Sequence, residues 1–151
     1  MNWKLIVIGG LAMYAVMFLL GIVTGPIIHD GILKDSYKAT SGFWRPELQQ
    51  DPPDMVSLMP YWITCGLIGC LLLAAIYGWI RPAFSGPGWQ RGLYYGICLT
   101  VFGTTVILGW SGYFNLPSKI WIWWALEQPI YYLLGGAALG WVAQKVAPVE
   151  G

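Results

Sequence analysis

Four long apolar stretches, each wide enough to cross a bilayer, account for most of this 151-residue chain. They cover about residues 5–28, 58–80, 92–113 and 119–146. A bilayer core about 30 Å thick requires about 20 apolar residues per helix, so each stretch is long enough. With 57% hydrophobic and 10% charged residues, the chain could not hide its apolar surface in a soluble fold of this size. We predict an all-α integral membrane protein whose residues 1–151 form one domain, an antiparallel bundle of four transmembrane helices.

The composition also argues against several classes of protein. A formal charge of +1, without a basic cluster, argues against nucleic acid as a partner. The three cysteines fall inside apolar stretches and form no CxxC pair, which argues against a disulfide-exchanging enzyme. A single histidine excludes a haem held by two histidines of one subunit, or a metal site built from several histidines. The sequence identifies no cofactor and predicts no metal site.

The longest polar segment, residues 29–57, separates the first two apolar stretches. Its centre holds Phe43 and Trp44, and the chain has ten tryptophans, most of them near predicted span ends. Aromatic side chains at these positions are typical of the headgroup region of a membrane. A loop of this length in so small a protein usually packs on the domain or has a function. We predict one long polar loop between helices 1 and 2, partly ordered against the membrane surface.

The orientation in the membrane depends on where the basic residues lie. One end of the predicted bundle carries Lys4, Arg81, Arg91 and Lys145, and the other carries Lys34, Lys38, Arg45 and Lys119. Each end thus has four basic residues. However, the first four lie in short segments close to span ends, and the positive-inside rule gives such positions the most weight. We therefore expect a bacterial inner (plasma) membrane protein with both termini in the cytoplasm.

Glycines in the third and fourth stretches predict close helix packing. Gly92 with Gly96, and Gly136 with Gly140, have the small-xxx-small spacing that lets helix backbones approach. Short connections predict that the second, third and fourth helices are antiparallel neighbours, and glycines opening the first helix and closing the fourth suggest that these two touch. On a helical projection the glycines of the fourth helix lie opposite Glu127. The glycine face should pack within the chain, and the Glu127 face should meet another helix, a ligand or a partner subunit.

One carboxylate, Glu127, lies about 12 Å below the start of the fourth helix, at 1.5 Å per residue. A carboxylate facing hydrocarbon is costly, so this group requires protein or water around it. Two roles are open. Pro129 frees the backbone carbonyl of Ala125, which a protonated Glu127 or the Gln128 amide could satisfy. Alternatively, Glu127 belongs to a functional polar site.

The four-span topology places a polar partner above this carboxylate. The end of the first helix and the start of the fourth lie on the same side, which brings His29 and Glu127 into one leaflet. No lysine or arginine lies inside a predicted span, so Glu127 needs a different partner. These residues could form a shallow polar pocket with tryptophan and tyrosine walls. The candidate ligand-binding residues are Glu127, His29, Trp123, Trp124, Tyr131 and Asn115, with Asp30 and Tyr113 nearby.

Three functions remain open on these observations. The first is a non-catalytic, oligomeric or accessory subunit of a larger membrane complex, whose partners are the lipid bilayer and copies of itself or other membrane subunits. The second is a binder or carrier of a small lipophilic ligand (a lipid, quinone, isoprenoid or pigment) oriented by Glu127. The third is a lipid-modifying enzyme with Glu127 and His29 as acid and base. Because the sequence contains no nucleophile–base set or phosphate loop, we favour the first and name no catalytic residue.

Overall fold

The computed structural model describes residues 2–148, and every regular element in this part of the chain is helical. The long helices follow the four apolar stretches in order, and shorter helical pieces connect them. The helices are α1 (Leu5–Ile32), α2 (Lys34–Ala39), α3 (Met55–Ile80), α4 (Gly88–Trp110) and α5 (Ser118–Val146), with 3₁₀ turns at Ser41–Phe43, Pro46–Gln49 and Arg81–Ala83. The predicted all-helical class is confirmed.

Three of these helices are long and apolar enough to cross a membrane: α1, α3 with its terminal turn, and α4. Helix α5 is 29 residues long but less apolar. Glu127, Gln128 and Pro129 interrupt its middle, and it is rich in tryptophan, tyrosine and glycine, which hydropathy scales treat as weakly polar. Length and hydropathy together therefore support three spans, and the membrane crossing of α5 requires a separate argument.

Helix α1 is wider than an α-helix at both ends. Leu5–Gly9 and Gly25–Ile32 are π-helical, and Gly10–Thr24 between them is α-helical. Pro26 lies at the junction of the α-helical and the second π-helical segment. Because proline has no N–H, it cannot donate to the preceding turn of α1, and the regular α-helical hydrogen bonding is interrupted there. The predicted helix end at residue 28 is therefore wrong, because Gly25 and Pro26 widen the helix instead of ending it. Helix α1 carries His29 within its last turns.

The long helices pack in the order α3, α1, α5, α4. Helices α4 and α5 share the most extensive contact, and α1 lies against both α5 and α3. Helices α3 and α4 approach at one end, where the Tyr77 and Tyr95 rings lie 5.3 Å apart and the Tyr95 hydroxyl donates to the Leu73 carbonyl at 3.0 Å. The prediction that the second and third helices are antiparallel neighbours is therefore wrong beyond this end. A short connection fixes only the ends that it joins, and side-chain packing decides the rest.

Glycine contacts hold α4 against α5. Gly92 faces the backbone of Gly136, and Gly88 faces that of Gly140. A methyl group built on Gly92 would overlap the carbonyl oxygen of Gly136, so the two backbones are in contact with no side chain between them. The small-xxx-small glycines therefore pair with each other, and the predicted packing of the glycine face of α5 within the chain is confirmed.

Helix α1 occupies the opposite side of α5. A methyl group on Gly9 would meet Leu139, and one on Gly135 would meet Met13 and Met17. The suggested contact of the first and fourth helices is therefore confirmed. Two apolar clusters fill the ends of the molecule. One includes Leu5, Met13, Cys70, Ala74, Tyr77, Tyr95, Leu139 and Ala143, and the other includes Ile28, Leu33, Leu116, Ile120 and Trp121.

The segment between α1 and α3 is shorter than the predicted loop and is largely built from helical turns. The Trp44 indole N–H lies 3.2 Å from the Tyr37 carbonyl and 3.0 Å from the Thr40 hydroxyl. The Phe43 ring lies 5.7 Å from the ring of Phe114, in the turn that precedes α5. These contacts hold the segment over the end of the molecule that contains His29. Its order is thus observed, and its position at a membrane surface remains a prediction.

Candidate functional site

The only buried acidic side chain among the described residues is Glu127, which is 6% exposed. One carboxylate oxygen lies 3.3 Å from the His29 Nε2 atom, and the other accepts a hydrogen bond of 3.2 Å from the Tyr131 hydroxyl. The Tyr131 hydroxyl in turn lies 2.8 Å from the Thr24 hydroxyl on α1. The carboxylate of α5 therefore meets two donors, one of which comes from α1.

A second set of hydrogen bonds continues outward from His29. The Nδ1 atom of its ring lies 2.7 Å from the Tyr37 hydroxyl, which also accepts a hydrogen bond of 2.9 Å from the Trp124 indole N–H. Burial raises the pKa of Tyr37 to about 12, so its hydroxyl keeps its proton at neutral pH. A protonated hydroxyl can accept from one neighbour and donate to another.

One of these partners fixes the direction of a hydrogen bond. The Trp124 indole can only donate, so the Tyr37 oxygen accepts from it. The contact between Tyr37 and His29 Nδ1 has either direction, according to which ring nitrogens carry a proton. Since His29 Nε2 also lies 3.3 Å from the Glu127 carboxylate, the five side chains from Trp124 to Tyr131 form one connected polar network.

The π-helical end of α1 brings His29 into position. Within this segment the amide of Leu33 bonds to the carbonyl of Ile28, five residues back, at 2.8 Å. A π-helical turn rotates the following side chains relative to a regular α-helix, and such turns are frequent at functional sites. Leu33 and Ile28 belong to the apolar cluster beside the site. Their packing therefore fixes the turn that carries His29.

The aromatic wall of the site comes from α5 and the connecting segment. The Trp44 ring lies 5.1 Å from Tyr37 and 6.1 Å from Trp124, both edge to face. The His29 ring stacks on Tyr37 at 6.0 Å. His29 keeps 35% of its side chain exposed, whereas its partner Glu127 is almost fully enclosed. The imidazole is therefore one of the parts of the network that can be reached from outside the protein.

The structure brings together four of the six predicted site residues. His29, Glu127, Trp124 and Tyr131 join one network. Trp123 packs on the neighbouring apolar cluster instead. Asn115 is exposed and makes no side-chain hydrogen bond within the described part of the chain. Asp30 and Tyr113 are also exposed and lie outside the network, with Tyr113 82% accessible.

Sequence reasoning missed Thr24 and Tyr37, which complete the network. Thr24 lies among apolar residues of α1, and only the pairing of α1 with α5 brings it to Tyr131. Tyr37 belongs to a short helix that follows His29 by eight positions and folds back over it. No local pattern identifies either residue, because both contacts depend on how separate segments pack.

The arrangement also bears on the kink at Pro129. The Gln128 amide lies 3.4 Å from the carbonyl of Trp124, and the Glu127 carboxylate is engaged by His29 and Tyr131. Neither side chain bonds to the carbonyl of Ala125 in the described structure. The Glu127 carboxylate of α5 thus contacts His29 of α1, and repair of the proline kink by Glu127 or Gln128 is not observed in the described residues.

Comparison of the chain with protein-family models, curated proteins and solved structures found no significant match to any of them.

Proposed function

We propose that all four long helices cross the membrane, including α5. The support comes from the packing of α5 along the whole of α4, an apolar helix long enough to span. Gly88 at the start of α4 faces Gly140, and Gly103 further along faces Gln128. Near the end of α4, Ile107 packs on the cluster at the start of α5. A helix in contact with a spanning helix over this length must lie at the same depth.

Reporter fusions test the crossing of α5 directly. Fusions after residues 85 and 148 should report the same side of the membrane, and fusions after residues 45 and 115 should report the opposite side. We propose that the first side is the cytoplasm, since Lys4, Arg81, Arg91 and Lys145 lie there. If fusions after 115 and 148 report the same side, α5 does not cross and the four-span proposal fails.

We propose that the protein is a non-catalytic subunit of a membrane assembly, formed with copies of itself or with other membrane proteins. The observation that carries this proposal is that the buried carboxylate is satisfied by groups of the same chain, so it requires no ligand or substrate. Its role within the subunit is to lock α1 to α5. We therefore look for the site of assembly on an exposed helix surface and not at the polar network.

The surface that we assign to the partner is the first half of α3. Residues 59–65 are exposed on every side, so this part of α3 packs against none of the other long helices. It includes Tyr61 and Trp62, with Cys65 at its inner end.

Cysteine cross-linking in native membranes tests the assembly. Copper phenanthroline should produce a dimer or a mixed disulfide through Cys65 in a C98S variant. The matched control is C65S, in which Cys98, exposed on α4, should give much less product. If cross-linking through Cys65 is absent, or equals that through Cys98, the first half of α3 faces lipid and the proposed interface is wrong.

A second candidate function is the binding of a small lipophilic molecule with a polar head group. It is favoured by the partial exposure of His29 beside the Tyr37, Trp44 and Trp124 rings. A hydroxyl or carbonyl oxygen could bond to the imidazole while a hydrocarbon tail remains in the bilayer. Mass spectrometry of molecules that co-purify with wild-type protein and with H29F decides this point. A molecule lost in H29F but kept in an N115A control supports binding, and equal contents exclude it.

A further inference from the structure

A recess at the opposite end of the molecule from His29 has a different chemical character. It lies where the turn after α3, the start of α4 and the end of α5 meet. Its lining residues are Tyr77, Arg81, Gly86, Gly88, Arg91, Gly140, Ala143, Gln144 and Pro148. Two arginines and no acidic residue line it.

The charge around this recess is positive throughout the described residues. Lys4 and Lys145 lie at the same end of the molecule. The acidic residues between positions 2 and 148 all lie in the connecting segment, at the end of α1 or at Glu127, towards the other end. Arg81 and Arg91 therefore lack a carboxylate partner among the described residues, and the only ion pairs found there are at the His29 end.

Backbone contacts hold both arginines in place while leaving donors free. One terminal nitrogen of Arg81 donates to the carbonyl of Ala147 at 2.5 Å, at the end of α5. The Nε atom of Arg81 is buried and has no hydrogen-bond partner in residues 2–148. Arg91 uses its Nε atom to reach the Gly86 carbonyl at 2.8 Å. Each guanidinium has five N–H donors, so both retain several for an additional acceptor.

We propose that this recess binds a phosphate group, and that its source in the membrane is the headgroup of an anionic phospholipid. Paired guanidinium groups match the oxygens of a phosphate better than a single ammonium does. The recess lies at the ends of α3 and α4, two helices apolar enough to span, which is the depth of the headgroups. Basic pockets between helix ends are typical sites for acidic lipid headgroups. This site is separate from the His29–Glu127 network and does not depend on the function proposed for that network.

The test uses the full-length protein in dodecyl maltoside, with thermal unfolding followed by tryptophan fluorescence. Phosphatidylglycerol, phosphatidylcholine and inorganic phosphate are titrated separately. Phosphatidylglycerol should raise the unfolding midpoint of wild-type protein, and R91Q should require about tenfold more lipid for the same shift, because a charge-assisted contact is lost. The matched control is K145Q, which removes the same charge at the same end, outside the recess, and should respond like wild type.

The separate titrations distinguish a lipid phosphate from free phosphate. A response to phosphatidylglycerol that inorganic phosphate does not reproduce supports a lipid site, whereas an equal response to inorganic phosphate supports a site for free phosphate. The proposal is overturned if neither ligand acts on wild-type protein, if R91Q responds like wild type, or if phosphatidylcholine is equally effective. The proposal is also overturned if K145Q reduces the response to phosphatidylglycerol as much as R91Q does. The positive charge of this end would then attract anions without using the recess.

Discussion

The buried carboxylate of Glu127 contacts His29 and Tyr131, and no lysine or arginine among the described residues pairs with it. Desolvating a carboxylate is costly unless each oxygen receives a hydrogen bond. His29 and Tyr131 provide those bonds from two directions, and Thr24 and Tyr37 orient these two donors in turn. His29 belongs to α1 and Glu127 to α5, so their contact forms only when the two helices are docked. The stability of the network therefore reports on this docking.

Substitutions of Glu127 should show whether its side chain stabilises the contact of α1 with α5. Glu127→Gln keeps an oxygen that can accept from His29 and an amide that can donate to Tyr131, so the unfolding midpoint should change little. Glu127→Leu removes the acceptor for both donors and should cost about 1–3 kcal/mol, the penalty for leaving a buried polar group unpaired. Thermal unfolding in detergent measures both variants. A neutral Glu127→Leu variant would show that the carboxylate contributes nothing to the docking of α1 on α5.

The hydroxyl of Tyr37 should be equally important, because it serves His29 and Trp124 together. Tyr37→Phe leaves the Trp124 N–H and the His29 Nδ1 atom without this partner. The cost should be about 1–3 kcal/mol, measured as the decrease in the free energy of unfolding at pH 8. Trp44→Phe is a suitable comparison, since it removes two weaker donations from the same cluster.

The raised pKa of Tyr37 adds a dependence on pH. Burial raises this pKa to about 12, above the ordinary tyrosine value of about 10. The folded state therefore holds the phenol proton more tightly than the unfolded state does, and the resulting stability is complete below about pH 10. It should be lost as pH rises from about 10 to about 12. The difference in unfolding midpoint between wild type and Tyr37→Phe should shrink over this window, and a constant difference would contradict burial of the hydroxyl.

At the scale of the elements, the contact of α4 with α5 depends on glycines that have no room for a side chain. A methyl group on Gly92 would overlap backbone atoms of Gly136 and Gly140, which cannot move aside as a flexible side chain could. Gly109 on the same helix has open space around it. The two positions therefore provide a matched pair for testing the contact.

Gly92→Ala should lower the free energy of unfolding by about 1–3 kcal/mol, the usual cost of overpacking. Gly109→Ala should be neutral or slightly stabilising, because alanine is the better helix former and meets no neighbour. Chemical unfolding in mixed micelles measures both. Equal effects of the two substitutions would mean that α4 and α5 are not in backbone contact.

Helix α1 shows how a local irregularity positions His29. A regular α-helix that ended at residue 28, as the sequence suggested, would leave His29 in a polar loop. The π-helical segment Gly25–Ile32 instead carries His29 along the helix and across to Glu127. Glycine and proline at its start permit the wider turn, and the packing of Ile28 and Leu33 holds it.

For the whole molecule, the three cysteines report on tertiary packing. Cys70 is buried in the core cluster, with its thiol 3.7 Å from the Met17 sulfur, whereas Cys65 and Cys98 are exposed. In mild detergent at pH 8, a membrane-permeant maleimide should label Cys65 and Cys98 faster than Cys70, which should react only after unfolding. Mass spectrometry of the intact protein gives the count. Rapid labelling of all three would show that α1 and α3 do not pack as described.

The two most polar features lie at opposite ends of one assembly of helices. The His29–Glu127 network closes one end beneath the connecting segment, and the arginine recess opens at the other. Between them the helices are joined by glycine contacts and apolar side chains. This separation means that substitutions at one end should leave ligand responses at the other unchanged.

The amino-acid sequence alone determined the helical class, because apolar stretches of this length have few alternatives. It also identified the face of α5 that packs through Gly136 and Gly140, and it singled out Glu127 and His29, since a lone carboxylate among apolar residues must have a polar partner. These inferences follow from local composition and helical spacing.

The tertiary structure decided which helices are neighbours and which side chains complete the site. Thr24 and Tyr37 could not be recognised in the sequence, because their roles arise from contacts between segments far apart in the chain. The second half of α3 packs on α1 and not on α4, and this packing depends on side chains that fit over glycines, as Tyr14 does over Gly66 and Leu71 over Gly10. Local patterns specify how each segment folds, whereas the choice among several similar apolar faces is made only when all of them pack together.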